Sequence, residues 1–177
     1  MNNTTQIGQA VLRIARPLRR DSKGSALVEG AIVLPVLIAL LFGVYEFSWF
    51  FYQQHVISTG LRDAARYLAR SPDPCEPGSP VWAAAQENAK NLAATGSIGG
   101  GPARVKGWAA AMIVPRCSQV DNSPPARGPS AYRGGLAIYV VTVSTQFTDP
   151  SLGFFGLLGL PSPIIFVSHS ERVIGPG

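Results

Sequence analysis

The 177-residue sequence is poor in charged residues, in cysteine and in histidine. Asp, Glu, Lys and Arg make up only 14 % of it, against about 25 % in typical globular chains. Two cysteines and two isolated histidines are too few ligands for a metal site, so we expect no metal. The glycines of "GSIGGGPAR" lack a strand–glycine–helix setting and a following Gly-Lys-Ser/Thr, which indicates a flexible loop rather than a phosphate-binding turn.

No catalytic arrangement of side chains stands out in the sequence. There is no nucleophile–base pair and no carboxylate dyad; His55 falls in a helical pattern and His169 in a strand pattern. The serines beside His169, in "VSHSER", do not fit the sharp strand-to-helix turn of a nucleophile elbow. We therefore expect a protein without enzymatic activity, without catalytic residues and without a cofactor.

The net charge of +5 is concentrated at the N-terminus. Residues 1–24 hold five basic residues and one acidic residue, whereas the rest of the chain holds ten basic and nine acidic residues. A nucleic-acid-binding domain would carry its basic residues on a folded face. This distribution argues against that function class, and we expect no nucleic-acid partner.

A long apolar run follows the basic cluster. Sixteen uncharged residues lie between Glu29 and Glu46. As a helix, the stretch from Ser25 to Glu46 would measure about 31 Å, close to the roughly 30 Å of a bilayer's hydrocarbon layer. The pattern predicts a transmembrane helix over residues 25–52, with Glu46 near the far interface. A buried helix of a soluble protein is the alternative.

Three aromatic residues mark the far end of this span. Tyr45, Trp49 and Tyr52 recur at i, i+4 and i+7, which is typical of an aromatic belt at headgroup depth. Because Lys and Arg beside a span stay in the cytoplasm, residues 1–24 are predicted to be a basic cytoplasmic leader and the C-terminal part to lie outside. A cleaved secretory signal would end in small residues, which "FGVYEFSWFFY" does not provide.

Glu29 is a carboxylate about one helical turn inside the predicted span. On insertion scales such a charge costs on the order of 2.5–3.5 kcal/mol, which makes Glu29 a candidate functional residue. The alternative is that its side chain reaches back to the cytoplasmic interface, since it lies only about 6 Å along the helix from Ser25.

Gly24, Ser25 and Glu29, with a basic leader before them and an apolar helix after them, resemble the processing site of type IV prepilins. The resemblance implies that a membrane aspartyl protease, the prepilin peptidase, cuts between Gly24 and Ser25 on the cytoplasmic side. Glu29 then becomes the fifth residue of the mature chain. The cut frees an α-amino group with an ordinary pKa of about 7.7–8.0. Glu29 of a neighbouring subunit could pair with this amine and fix the register of stacked helices.

Residues 24–69 resemble, more narrowly, the TadE-like minor pseudopilins of the Tad/Flp type IVb pilus system. The matching places are Val28 and Glu29, residues 33–35, residues 43–47 and residues 64–67, while Gly30 departs from the Phe or Tyr often found after the glutamate. The resemblance implies a bacterial inner-membrane protein with a cytoplasmic N-terminus and a periplasmic C-terminal domain, incorporated in some cases into a cell-surface pilus.

The same resemblance implies the partners and the role of the protein. The partners would be the prepilin peptidase, other pilin or pseudopilin subunits, inner-membrane Tad assembly proteins and the lipid bilayer. The role would be that of a minor pilin in pilus biogenesis, surface adhesion and biofilm formation. The alternative is an uncleaved single-pass membrane protein whose periplasmic domain binds a partner. A third, weaker alternative is an adhesin or ligand-binding module on a pilin stem.

The rest of the chain predicts a helical stem over residues 53–70 and a small exterior domain over residues 71–177. Helical spacing of apolar residues continues through the stem and stops at a Ser-Pro pair. In the exterior domain, Ser79 is predicted to cap a helix that Pro80 opens and Gly96 closes.

Strand candidates in the exterior domain lie at residues 105–114, 136–147 and 164–174. The predicted fold class is therefore α+β, with a long N-terminal transmembrane helix, an exterior stem, one further helix and a sheet of two or three antiparallel strands. Residues 152–160, "LGFFGLLGL", are apolar but too short to span. We interpret them as packed on the head, with membrane or partner contact as alternatives.

Cys75 and Cys117 are the only cysteines, and both are predicted to lie in turn-rich loops on the exterior side. In an oxidising compartment we expect them to form a disulfide, which would stabilise a small core.

Overall fold

The structure is a computed structural model that describes residues 22–123 and 135–174. Residues 1–21 of the predicted basic leader lie outside the described residues. The elements in chain order are α1 (Ser22–Ala69), α2 (Pro80–Thr95), a 3-10 turn (Ala110–Met112), β1 (Ile113–Asp121), β2 (Ala137–Thr148), α3 (Gly153–Leu157) and β3 (Ile164–Arg172). The long apolar helix, one further helix of several turns and a three-stranded antiparallel sheet confirm the predicted α+β fold class.

The chain divides into two compact units, Met1–Tyr45 and Glu46–Gly177, and the boundary falls inside α1. In the described part of the first unit, every residue from Gly24 to Tyr45 except Gly43 is exposed. α1 is long and apolar enough to cross a membrane, and its apolar stretch is not covered by the described protein. A core helix of a soluble protein would be mostly covered, so the structure favours the membrane anchor.

The second unit, which we call the head, is built on one stripe of α1. Ile57, Leu61, Ala64, Ala65 and Leu68 are all fully buried. They recur at i, i+4, i+7, i+8 and i+11, which is the spacing of one helix face. The two arginines that alternate with them are exposed. The amphipathic pattern of the predicted stem is therefore satisfied by packing within the head.

α2 lies close to α1 because small residues face each other. Ser79 caps α2 by accepting a hydrogen bond from the Trp82 N–H, and Gly96 ends it in the left-handed region with a φ of 86°, as the sequence predicted. A Cβ built on Gly60 of α1 would lie 2.6 Å from the carbonyl oxygen of Ala93 in α2. The absence of a side chain at Gly60 thus sets the spacing of the two helices.

The sheet has the order β1-β2-β3, with β2 paired antiparallel to both neighbours. Val141, Val143 and Phe147 of β2 alternate with more exposed residues and are buried in the head. Trp108 is fully buried nearby, and its indole N–H donates to the Thr145 hydroxyl over 3.1 Å. The strands predicted at 136–147 and 164–174 correspond to β2 and β3.

The strand predicted over residues 105–114 is wrong. Gly107 has a φ of 88°, the Trp108 N–H donates to the Val105 carbonyl, and a 3-10 turn follows before β1 begins at Ile113. β1 itself is mostly polar and exposed, and it contains Pro115. A proline is tolerated because β1 is an edge strand. On its open side the backbone N–H groups have no neighbouring strand to donate to, so the missing N–H of proline costs no hydrogen bond there. A polar strand with an internal proline gives no strand signal in the sequence.

The apolar segment 152–160 is only partly packed on the head. Leu152 is buried, and Phe154 and Phe155 of α3 are half-buried. The three leucines further along the segment are exposed: Leu157, Leu158 and Leu160. The core-packing interpretation therefore holds for the start of the segment and is wrong for its leucine-rich end.

Candidate functional site

The predicted processing site lies near the start of the described part of α1. The description of α1 begins at Ser22, so Gly24 and Ser25 are its third and fourth described residues. Gly24 is exposed, and a Cβ built on it would meet no atom within 4 Å. The described chain thus leaves the Gly24–Ser25 peptide bond accessible.

Glu29 lies one turn beyond Ser25, at i+4, and therefore on the same side of α1. Its side chain is exposed. Within the part of the chain that the structure describes, no ion pair involves Glu29. Gly30, where the resemblance departs from its pattern, is equally open, with no atom within 4 Å of a built Cβ. The carboxylate of Glu29 is therefore accessible to a second chain.

Glu46, the second carboxylate on the apolar part of α1, is buried, with 9 % of its surface exposed. Its Oε1 accepts a 2.7 Å hydrogen bond from the backbone N–H of Phe154 in α3. Its Oε2 is buried without a hydrogen-bond partner among the described residues. Distance along the helix placed Glu46 at the membrane interface but did not reveal this contact, because its partner is 108 residues away. The only sequence signal was its place in the pattern shared with TadE-like proteins.

A second polar contact ties α1 to the segment after β2. Asp149 is buried, and its Oδ2 accepts hydrogen bonds from the Trp49 indole over 3.1 Å and from the Gln53 amide over 2.5 Å. Its Oδ1 accepts from the backbone N–H and the hydroxyl of Ser151. Burial raises the pKa of Asp149, but the hydrogen bonds from Ser151, Gln53 and Trp49 outweigh it and lower the pKa below its ordinary 3.8. No sequence pattern pointed to this cluster.

The three residues of the predicted aromatic belt are all exposed in large part: Tyr45, Trp49 and Tyr52. The Trp49 and Tyr52 rings stack with their centroids 5.5 Å apart. The indole N–H of Trp49 is bonded to Asp149, so this polar group is engaged within the head. The belt itself stays a prediction.

Cys75 and Cys117 are joined by a disulfide, with their Cα atoms 5.7 Å apart. Cys75 lies in the connector between α1 and α2, as expected from its turn-rich surroundings. Cys117 lies in β1 and not in a loop. The sequence pattern predicted a strand that ends at residue 114, whereas β1 runs from Ile113 to Asp121 and includes Cys117. The bond therefore links the connector to the edge strand of the sheet.

The two histidines lie in separate places. His55 is exposed on α1, and the His169 Nε2 in β3 lies 3.0 Å from the Glu171 Oε1. Hydrogen bonding to His169, assisted by Arg66, lowers the pKa of Glu171 below its ordinary value against a weaker effect of burial. Across residues 22–123 and 135–174, no three of His, Cys, Asp and Glu come together as metal ligands.

An open groove of about 940 Å³ lies between the end of α1 and α2. Arg66 and Tyr67 line it from α1, Arg70 from just after α1, and Ala84 and Asn88 from α2. The Asn88 amide donates to the Tyr67 hydroxyl over 3.3 Å. The groove is wide and its polar groups do not converge on one point, so no ligand chemistry follows from it.

The fold and these positions define the class of protein: an α+β head that continues from an apolar helix compatible with a membrane anchor. Residues 24–66 match the sequence model of a family described as TadE-like protein, which confirms the resemblance found in the sequence. No curated protein and no solved structure matches the chain. The TadE-like match indicates a membrane-associated protein of a Tad pilus system, with pilus-related protein partners. It ends inside α1, so it does not describe α2 or the sheet.

Proposed function

We propose that the chain is a minor pilin or pseudopilin of a Tad-type (Flp) pilus assembly machine. A prepilin peptidase cuts it after Gly24, and the mature chain takes part in pilus biogenesis, surface adhesion and biofilm formation. The observation that carries the proposal is one helix that combines an exposed Gly24, an exposed Glu29 and an uncovered apolar stretch inside the TadE-like match. The protein has no enzymatic role in this proposal.

The exposure of Gly24 supports the cleavage step. A protease must bring the backbone around its target bond into its own active site, which requires a few residues to leave the helix. Gly24 is exposed, and as a glycine it adds no side chain that would obstruct the enzyme.

Glu29 acts after the cut, at the contact between subunits. An exposed carboxylate inside an apolar helix is costly in a bilayer or a helical bundle unless a positive charge neutralises it. The new α-amino group of Ser25 on a neighbouring subunit supplies that charge. Pairing of the carboxylate with the amine compensates for the cost of burying both charges. It also fixes how far one subunit's helix is shifted along the axis relative to its neighbour's.

The remaining features agree with a periplasmic head. The basic leader stays in the cytoplasm under the positive-inside rule, so residues after the span face the periplasm. The Cys75–Cys117 disulfide suits that oxidising compartment. The partners in this proposal are the peptidase, other pilin or pseudopilin subunits and the inner-membrane Tad assembly proteins.

Mass spectrometry of the protein extracted from membranes tests the cleavage. In cells that express the Tad prepilin peptidase, we expect the mature chain to begin at Ser25. Gly24→Leu should block the cut, whereas Gly30→Ala, a change at an equally open glycine of the same helix, should leave it intact. An uncut chain with its original N-terminus in the presence of active peptidase would overturn the proposal in favour of an uncleaved membrane anchor.

Glu29→Ala separates cleavage from assembly. We expect the variant to be cut after Gly24 but to enter pili poorly, measured as the amount of this chain in sheared pilus fractions. Glu87→Gln, a change at an exposed glutamate of α2, serves as the control and should assemble normally. If Glu29→Ala assembles as well as the control, the pairing between Glu29 and the Ser25 amine is wrong.

A further inference from the structure

The segment between β2 and β3 presents an uncharged apolar surface. Leu157 is 80 % exposed, Leu158 56 % and Leu160 52 %. Between residues 149 and 166 the only charged residue is Asp149, and it is buried and hydrogen-bonded. Three neighbouring exposed leucines without a charge among them are unusual on a soluble surface and indicate contact with another phase or molecule.

Two contacts hold this segment at the beginning of the head's helix. The Glu46 carboxylate accepts the Phe154 N–H, and the Phe155 ring packs edge-on against Phe47 with centroids 5.4 Å apart. The Leu160 N–H donates to the Phe155 carbonyl, which folds the leucines back over α3. The segment is thus attached within one turn of the point where the apolar run of α1 ends.

Other exposed apolar side chains lie on α1 shortly after Glu46 and at the start of β3, which follows the leucine segment. Phe51 on α1 is 60 % exposed, and Ile164 and Phe166 at the start of β3 are 55 % and 70 % exposed. In the sheet register Ile164 lies opposite Thr148, at the end of β2 that leads into the leucine segment. We call the three leucines with Phe51, Ile164 and Phe166 the apolar end of the head.

The opposite end of the head is charged. The Ile174 N–H donates to the Ala69 carbonyl at the end of α1, and Arg66 pairs with Glu171 over 3.4 Å. Glu46 and Ala69 are separated by about 35 Å along the helix at about 1.5 Å per residue. Within the head, the apolar surface therefore lies near Glu46, and the Arg66–Glu171 ion pair lies near Ala69.

We propose that the apolar end of the head docks on the membrane that α1 crosses, with Leu157, Leu158 and Leu160 inserted at the boundary between headgroups and acyl chains. The apolar stretch from Ser25 to Glu46 measures about 31 Å as a helix, so Glu46 reaches the far edge of the hydrocarbon layer. The leucine segment is bonded to Glu46 itself. Because the chain runs directly from the span into Glu46, the apolar end of the head lies at the membrane interface. Amphipathic elements bury apolar side chains there to a depth of about 5–10 Å.

The polar groups of the region fit this placement. Asp149 is enclosed by Trp49, Gln53 and Ser151, so no exposed carboxylate has to enter the interface. Glu46 is likewise buried and holds α3 through its backbone. In this inference Glu46 is a positioning residue that aims the leucines at the bilayer. The inference rests on the membrane anchor of the proposed function and is independent of cleavage and of pilus assembly.

Lipid quenching of a fluorescent label tests the docking. The full chain, with a single label on Leu158→Cys, is reconstituted into vesicles of phosphatidylethanolamine and phosphatidylglycerol that contain a doxyl-labelled phospholipid. Val120→Cys is the control, because Val120 is an apolar position of similar exposure that lies near the end of β1 paired with Ala137, at the other end of β2 from Thr148. We expect strong loss of fluorescence at position 158 and little at position 120.

Other results would overturn the proposal. Equal loss at the two positions would mean that the head has no preferred face towards lipid. No loss at position 158, or protection there only when a companion pilin subunit is added, would mean that the surface meets protein rather than membrane. Because the readout does not depend on the N-terminal residue, an uncut but docked chain would contradict only the proposed function, and a cut but undocked chain only this inference.

Glu46 variants test the positioning role. Glu46→Ala removes the acceptor for the Phe154 N–H, and we expect the loss of fluorescence at position 158 to fall towards that of the position-120 control. Glu46→Gln keeps an acceptor oxygen and should restore quenching. If Glu46→Ala leaves the head folded by circular dichroism and quenching unchanged, Glu46 does not position the leucines.

Discussion

The two halves of α1 show how one helix serves two environments. From Gly24 to Tyr45 its apolar side chains are exposed on all sides, whereas from Ile57 to Ala69 one apolar stripe is buried in the head. A helix that is apolar on all sides is stable when lipid or other helices surround it. An amphipathic helix buries only its apolar face, against a protein core. The change occurs inside a continuous helix, so side-chain pattern and not backbone conformation distinguishes anchor from head.

The two glutamates repeat the same contrast. Glu29 is exposed in the first half, while Glu46 is buried and bonded to Phe154 in the second. One carboxylate is accessible for a contact between chains, and the other is used for a contact within the chain. Their similar positions, near the two ends of the apolar run, concealed this difference in the sequence.

Two leucine-to-alanine substitutions, one in each half of α1, should show the largest difference in the stability of the head. Leu61→Ala removes a fully buried side chain from the core of the head, and such changes cost about 2–5 kcal/mol. Leu40→Ala, at a 61 % exposed position of the same helix, should leave the unfolding midpoint of the head unchanged. Denaturant unfolding in detergent micelles, followed by tryptophan fluorescence, measures both. Equal destabilisation would show that the halves do not differ in packing.

Loss of the disulfide should have the next largest effect. Replacing Cys75 and Cys117 together by serine releases the connector from β1. For a loop of this length we expect a loss of about 2–4 kcal/mol in the unfolding free energy of the head. Membrane extraction of the variant should be unchanged, because the anchor half of α1 holds no cysteine. Wild-type protein unfolded in reducing buffer is the control and should match the double variant.

A matched pair of glycine substitutions should have a smaller effect. A Cβ at Gly60 would lie 2.6 Å from the Ala93 carbonyl oxygen, so Gly60→Ala must push α1 and α2 apart. Overpacking of this kind costs about 1–3 kcal/mol. Gly30→Ala meets nothing within 4 Å, and we expect no loss of head stability. Thermal unfolding followed by circular dichroism measures both variants. If Gly60→Ala is as stable as wild type, α1 and α2 are not closely packed at Gly60.

The smallest expected effect is a pH dependence from Asp149. Its pKa is lowered in the folded head, because hydrogen bonds to the charged carboxylate outweigh burial. The stabilisation is therefore present above the ordinary pKa of 3.8 and is lost as the pH falls through the lower folded value. Between about pH 5 and pH 3, the unfolding midpoint of wild type should fall more steeply than that of Asp149→Asn. Parallel slopes would mean that the Asp149 cluster does not contribute.

Local patterns were enough to predict much of this protein. The apolar run, the cap residues of α2 and the β-branched run of β2 each fulfil requirements that lie within a few residues, so sequence order alone reveals them. The candidate processing residues are likewise consecutive or one helical turn apart. That is why Gly24, Ser25 and Glu29 could be named from the sequence together with the α+β class.

Only the tertiary structure decided the features that depend on distant residues. β1 gave no signal because its polar, proline-containing residues form a strand only through pairing with β2. The burial of Glu46 depends on Phe154, 108 residues later, and the environment of Asp149 depends on Trp49 and Gln53, about as far away. Hydrogen bonds and burial at such separations follow from how the chain packs, and packing is not encoded in any short segment.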